Sequence, residues 1–296
     1  MPDPFALDPQ TIVVVLGLAS AAAWGAGDFG GGIAGRRAPL FGVILATQLV
    51  GGILAAGVAV VRAEAPPTGA EIPLAVLGGI VGAIGIGALY GGLATGRMGV
   101  VAPISGVLSA TVPVFAGLAL QGLPGPASLA GIGLALVAVV LVSSSPAQAS
   151  GGPVGGRVLG LPRDVAIALV AGLSIGAFNV IVSRFSPGSV FGPLVVVRLV
   201  EAAMVVSVVV ATRRSWRLPQ RIWPLLLVVG GLDMAGNGLF ILAAQAGRLD
   251  VAAVLSSLYP VTTLILAALI LKERVAGTHA LGVAAAIAAI VLVRMG

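Results

Sequence analysis

Charged and amide side chains interrupt stretches of sequence that are otherwise apolar, and whatever chemistry the chain has rests on them: Asp28, Asn179, Arg198, Glu201, Asp233 and Asn237. In apolar surroundings each must face protein or water, because leaving it in hydrocarbon is costly. Arg198 and Glu201 stand at i and i+3, so on a helix they share a face. Either they neutralise each other there, or the planar fork of Arg198 faces a cavity and receives a carboxylate or phosphate. Asp233 and Asn237 lie one helical turn apart, and Asp233, the most central acid, is the candidate for proton coupling. Asp28 follows Gly25-Ala26 and Asn179 follows Gly176-Ala177. Asp28 is either a cavity residue or a carboxylate solvated near a helix end; Asn179 lies deeper in its run. Tyr90 and Tyr259 fit an interfacial belt as well as a ligand contact. Ser105 and Ser109, with Ser256 and Pro260, lie on one face of their helices, where a serine either meets a ligand or bonds its own backbone.

The elements that position these residues are read from hydropathy. The chain is 58% hydrophobic and 9% charged, where an ordinary globular domain has roughly 25% charged residues. Runs long enough to cross a ~30 Å hydrocarbon core recur from end to end. The sequence predicts an all-α integral membrane protein with helices near 11–33, 39–62, 73–95, 99–121, 126–144, 165–184, 190–212, 222–246, 250–271 and 277–295. Glycines at contact spacing, Gly78 with Gly82 and Gly87 with Gly91, are expected to let helix backbones approach closely. The segment Met1–Gln10 has no basic residue and does not read as a cleaved signal peptide.

The chain repeats itself. One offset of 151 residues, without a gap, pairs Gly96-Arg97 with Gly247-Arg248, Ser105 with Ser256, Thr111 with Thr262 and Gly131 with Gly282. It also pairs Gly25 with Gly176, Gly79 with Gly230 and Gly85 with Gly236. A period of half the chain means two copies of one unit: residues 1–146, then a Ser/Gly/Pro-rich linker at 147–163, then residues 164–296. Five helices per unit is an odd number, so the copies enter the membrane from opposite sides and are related by a pseudo-twofold axis in its plane. Inverted repeats of this kind place a substrate site near the midplane between them. Residues paired by the offset, Trp24 with Ile175, Asp28 with Asn179 and Ile86 with Asn237, should then lie across one cavity.

Several function classes are excluded. Without cysteine there is no disulfide, thiol catalysis or cysteine metal site, and with a single histidine no metal is expected. Gly25–Gly30 matches GxGxxG but lies in an apolar run with no preceding strand. Gly172–Gly176 matches GxSxG but falls mid-helix rather than at a strand-to-helix elbow, and His279 is far along the chain. Chance among 44 glycines accounts for both. No phosphate-binding GxxxxGK[ST] loop exists, so ATP is not bound in that way; no cofactor and no enzyme activity are expected. The net charge of +6 comes from arginines at the ends of apolar runs, which anchor and orient helices; no nucleic-acid partner is implied. With both termini outside, the cytoplasmic side holds Arg36, Arg37, Arg97, Arg157, Arg163, Arg213, Arg214, Arg217, Arg221, Lys272 and Arg274, as the positive-inside rule favours.

Two inverted five-helix units, with Gly-Arg before the fourth and ninth helices, resemble the drug/metabolite transporter superfamily, EamA type. The second half carries the likeness best: Ala253-Val254-Leu255-Ser256-Ser257-Leu258-Tyr259-Pro260-Val261, then Lys272-Glu273-Arg274 and Gly282. In the first copy Gly122 stands where Glu273 does, so the glutamate turn reads as a cap or structural ion pair. The resemblance implies a secondary transporter of the cell (inner) membrane, whose partners are the lipid bilayer and a small-molecule substrate. Exporters of amino acids of the YddG type, aromatic substrates among them, are the first comparison. A cavity lined by helices one, three, four, six, eight and nine is expected, with Trp24, Tyr90 and Phe178 as apolar wall. Asp28, Ser105, Asn179, Arg198, Asn237 and Ser256 would be its polar groups, worked by alternating access. An intramembrane enzyme lacks a credible catalytic set; a non-transporting receptor or assembly subunit is the third class, which flux measurements separate.

Overall fold

A computed structural model describes residues 8–95, 98–143, 157–158, 160–272 and 276–296. It is helical nearly throughout: α1 (Pro9–Gly35), α2 (Leu40–Val61), α3 (Glu71–Thr95), α4 (Met98–Gln121), α5 (Pro126–Ser143), α6 (Arg163–Val182), α7 (Phe191–Thr212), α8 (Trp223–Ala246), α9 (Leu249–Ser256), α10 (Tyr259–Ile270) and α11 (Gly277–Met295). Among the described residues ten spans, with α9 and α10 together forming the ninth, are long and apolar enough to cross a bilayer. Their outer surface is apolar: Ile53 and Leu269 are 71% exposed and Phe115 64%. Such a surface suits lipid and would be an aggregation liability in water. Much of the predicted linker lies outside the described residues; within it Arg157–Val158 pairs antiparallel with Leu161–Pro162. Glu273 also lies outside them.

The ninth helix is not the continuous 250–271 expected from hydropathy. It breaks after Ser256 and restarts at Tyr259. Pro260 has no N–H to return to the Ser256 carbonyl. The chain tightens instead, with Leu258 N–H donating to the Leu255 carbonyl and Val261 N–H to that of Leu258. The repeat-related residue in α4 is Ser109, and α4 runs unbroken. Proline alone does not decide the matter, since Pro113 sits inside α4 without ending it.

The repeats are interleaved. α1 makes its most extensive contact with α8 and also packs on α9 and α10, all from the second unit; α6 packs on α3 and α4 of the first. α2 lies on α7 and α8, α7 on α2 and α3, and α5 pairs with α11. Glycines mark these crossings in equivalent pairs. A Cβ on Gly25 would strike the Tyr259 carbonyl and Thr262, while one on Gly176 would fall 2.6 Å from Val112 Cβ and 3.0 Å from the Leu108 carbonyl. Gly131 packs on Val293 and Gly282 on Val142, whose numbers differ by the repeat offset. Gly85 meets Ile175 and Gly236 meets Trp24, again an exchanged pair. Backbones this close are what small residues allow in lipid. Gly87 corrects the expectation from spacing: a Cβ on it meets nothing within 4 Å among the described residues, so its position in this GxxxG is not a packing seam. Gly79 and Gly82 of α3 carry that contact, against Val197, Val200, Phe178 and Glu201.

Both termini lie on one face, where Gln10 donates to the Val293 carbonyl at 2.6 Å and Arg294 pairs with Asp8 at 3.1 Å. The exposed Asp8 carboxyl is held below its ordinary range, chiefly by its hydrogen bonds from Thr11 and then by Arg294. This face is fastened by long-range polar contacts. Glu64, in the α2–α3 loop, accepts the N–H groups of Val190, Phe191 and Gly192 at the start of α7, at 3.2, 2.7 and 3.1 Å. A carboxylate there satisfies donors that a helix N-terminus leaves free. Arg248 pairs with buried Asp250 at 2.7 Å and donates to the Gln121 carbonyl at the end of α4, tying α9 to it. The opposite face carries Arg36, Arg37, Arg163, Arg213, Arg214, Arg217, Arg221 and Lys272 among the described residues.

Candidate substrate-binding site

Between the two interleaved halves lies a cavity of about 160 Å³. Its wall is built from Trp24 and Asp28 of α1, Gly82, Ile86, Leu89 and Tyr90 of α3, and Ser109 of α4. The second half adds Ile175, Phe178 and Asn179 of α6, Arg198 and Glu201 of α7, Asp233 and Asn237 of α8, and Ala253, Ser257 and Tyr259 around the break in the ninth span. A smaller cavity of about 60 Å³ adjoins it. The two share Trp24, Asp28, Ile86, Tyr90 and Asp233, and the smaller one continues past Gly31, Val43 and Val229 toward the arginine-rich face.

The floor of the site is one charged network. Arg198 donates through Nη1 to Gln48 Oε1 at 2.5 Å and to Glu201 Oε2 at 3.0 Å. Its Nη2 pairs with Asp233 Oδ2 at 2.6 Å. Arg198 and Glu201 are each 2% exposed, Asp233 33%. Asn237 donates to the Asp233 backbone carbonyl at 2.8 Å and reaches its carboxylate at 3.4 Å. The intrahelical Arg198–Glu201 pair therefore forms, and it is extended by α2 and α8. Buried charges need this density of partners, because desolvation otherwise exceeds their attraction. Gln48 is the member that the sequence reading missed; Glu201, read there only as the intrahelical partner of Arg198, lines the cavity as well. Gln48 is 150 positions from Arg198, and no local pattern signals a pairing that only the packing of α2 on α7 creates.

The apolar wall is largely aromatic. Trp24, Tyr90, Phe178 and Tyr259 all line the cavity, and Trp24 is braced by Phe240, ring centroids 5.8 Å apart. Asp28 is exposed to this space, and among the described residues no hydrogen bond or ion pair reaches its carboxylate. All three offset-related pairs, Trp24 with Ile175, Asp28 with Asn179 and Ile86 with Asn237, contribute both members. The sequence-derived set is otherwise redistributed. Ser105 donates to the Val101 carbonyl of its own helix at 2.7 Å, and Ser256 to the Gly17 carbonyl of α1 at 3.3 Å. Neither lines the cavity; Ser109 and Ser257 do. The expected list of lining helices gains α7. Ser257 and Tyr259 enter through the helix break, and irregular backbone within a membrane is tolerated where it borders protein or a cavity. Among the described residues no group of three or more His, Asp or Glu side chains is placed to hold a metal ion.

Comparison with known proteins agrees with this architecture. A solved crystal structure superposes with a TM-score of 0.74 over 95% of this chain and 97% of its own, at 17% identity; the likeness is one of fold. No curated protein matches significantly in sequence. The family model of the EamA-like transporter family matches residues 11–144 and 164–295, which are the two repeats. The chain is a multi-pass membrane protein and belongs to the EamA-like transporter family, whose members carry small molecules across membranes.

Proposed function

We propose that the protein is a secondary exporter of small metabolites in the cell (inner) membrane, with amino acids, aromatic ones included, as its substrates. The observation that carries this is the cavity between interleaved repeats, whose lining combines aromatic rings with amide and carboxylate groups, as an apolar side chain with polar ends requires. Movement of one half against the other would expose the cavity alternately to the two faces. The terminal face would then open by releasing the Glu64 and Arg248 contacts. Asp233 is the candidate for coupling, because it touches both the cavity and the Arg198 network. The protein is not an enzyme in this reading. The test is counterflow of radiolabelled phenylalanine into proteoliposomes. Accumulation that unlabelled phenylalanine in the lumen drives supports the proposal; flux equal to empty liposomes for every amino acid tried rejects it. Asp233→Asn should abolish uphill export driven by a proton gradient while exchange persists, and unchanged uphill transport would place coupling elsewhere.

A further inference from the structure

The charge of the cavity specifies which end of a substrate it holds. Asp28, Glu201 and Asp233 oppose a single guanidinium, that of Arg198, which is already engaged by Gln48, Glu201 and Asp233. Arg198 Nε and Nη2 make no hydrogen bond, but both are buried, and the guanidinium is ion-paired to Glu201 and Asp233, so its charge is balanced before any substrate carboxylate arrives. Asp28 is the reverse: it faces the cavity, and among the described residues no partner holds it. Around it stand the rings of Trp24, Tyr90, Phe178 and Tyr259, and the faces of aromatic rings attract cations. A negatively charged, ring-lined space favours positive charge throughout, and in a low-dielectric site that preference is strengthened.

We infer that Asp28 is the anchor for the substrate's ammonium group and that the cavity selects organic cations over zwitterions and zwitterions over anions. This rests on the cavity being the substrate site and specifies its chemistry: an amine-bearing metabolite with an apolar or aromatic body. A substrate carboxylate would approach Asp233 and Glu201, with neutral amide and hydroxyl groups such as Asn179 and Ser257 to receive it.

The experiment measures binding to the full-length protein in nanodiscs with three ligands that share ring and chain: phenethylamine, phenylalanine and 3-phenylpropionate. Phenethylamine should bind most tightly, phenylalanine less so, and 3-phenylpropionate not at all. Asp28→Asn should weaken phenethylamine by about tenfold or more, the loss expected for one charge-assisted contact, while Asp28→Glu keeps most of the affinity. Equal or tighter binding of 3-phenylpropionate, an unaltered affinity in Asp28→Asn, or binding of none of the three overturns the inference. The ligand ranking is read on the unmodified protein, so a poorly folding variant does not remove the test. Phenylalanine flux that is indifferent to Asp28 would sink this inference alone; amine binding without any flux would sink the transport reading.

Discussion

At the scale of the residue, the Arg198 network is the feature with the largest energetic consequence. Its charged members were individually visible as polar interruptions of apolar runs, and the i, i+3 spacing announced Arg198 with Glu201. The spacing did not announce Gln48 or Asp233, because those bonds join α2 and α8 to α7 through packing that sequence order hides. Removing the guanidinium would strand Glu201, 2% exposed, without its counter-charge. Arg198→Met should therefore destabilise the protein by about 3–5 kcal/mol, read as a fall in thermal midpoint in detergent. Adding Glu201→Gln should recover part of the loss, since it removes the stranded charge. A single variant as stable as the parent would mean that the pair contributes little.

At the scale of the element, hydropathy located the spans well because each apolar run must be about as long as the bilayer is thick. It could not show the break at Ser257-Leu258, because the run around it stays apolar enough to span and the break turns on backbone hydrogen bonding around Pro260. Glycine spacing was a mixed guide. The offset-related pairs Gly25 with Gly176 and Gly131 with Gly282 sit at backbone crossings, whereas Gly87, which matches the GxxxG pattern with Gly91, has nothing within reach of a Cβ among the described residues. Spacing says which residues share a helix face, and only packing says what that face meets. Accordingly Gly25→Leu and Gly176→Leu should each sharply lower the yield of monodisperse protein on gel filtration, and Gly87→Leu should leave it close to the parent. Loss of folded protein in Gly87→Leu, with Gly176→Leu unharmed, would contradict the packing described.

At the scale of the whole molecule, the gapless 151-residue repeat gave the inverted architecture, but not the exchange by which each unit's first two helices pack on the other unit's third and fourth. That exchange places offset-related residues on one cavity. The uneven charge of the two faces predicts orientation: the Arg213–Arg221 loop should be cytoplasmic and both termini external. Reporter fusions at Gly296 check this, and cytoplasmic activity there would reverse it. The central claim is that substrate occupies the cavity between the halves, and cysteine labelling tests it most directly because the chain has no cysteine of its own. Single cysteines at Trp24, Asp28 and Asn179 should react with a water-soluble maleimide and be protected by substrate, while one at lipid-facing Phe115 should not react. Cavity positions that stay unreactive in every condition, or that react equally with and without substrate, would contradict the account.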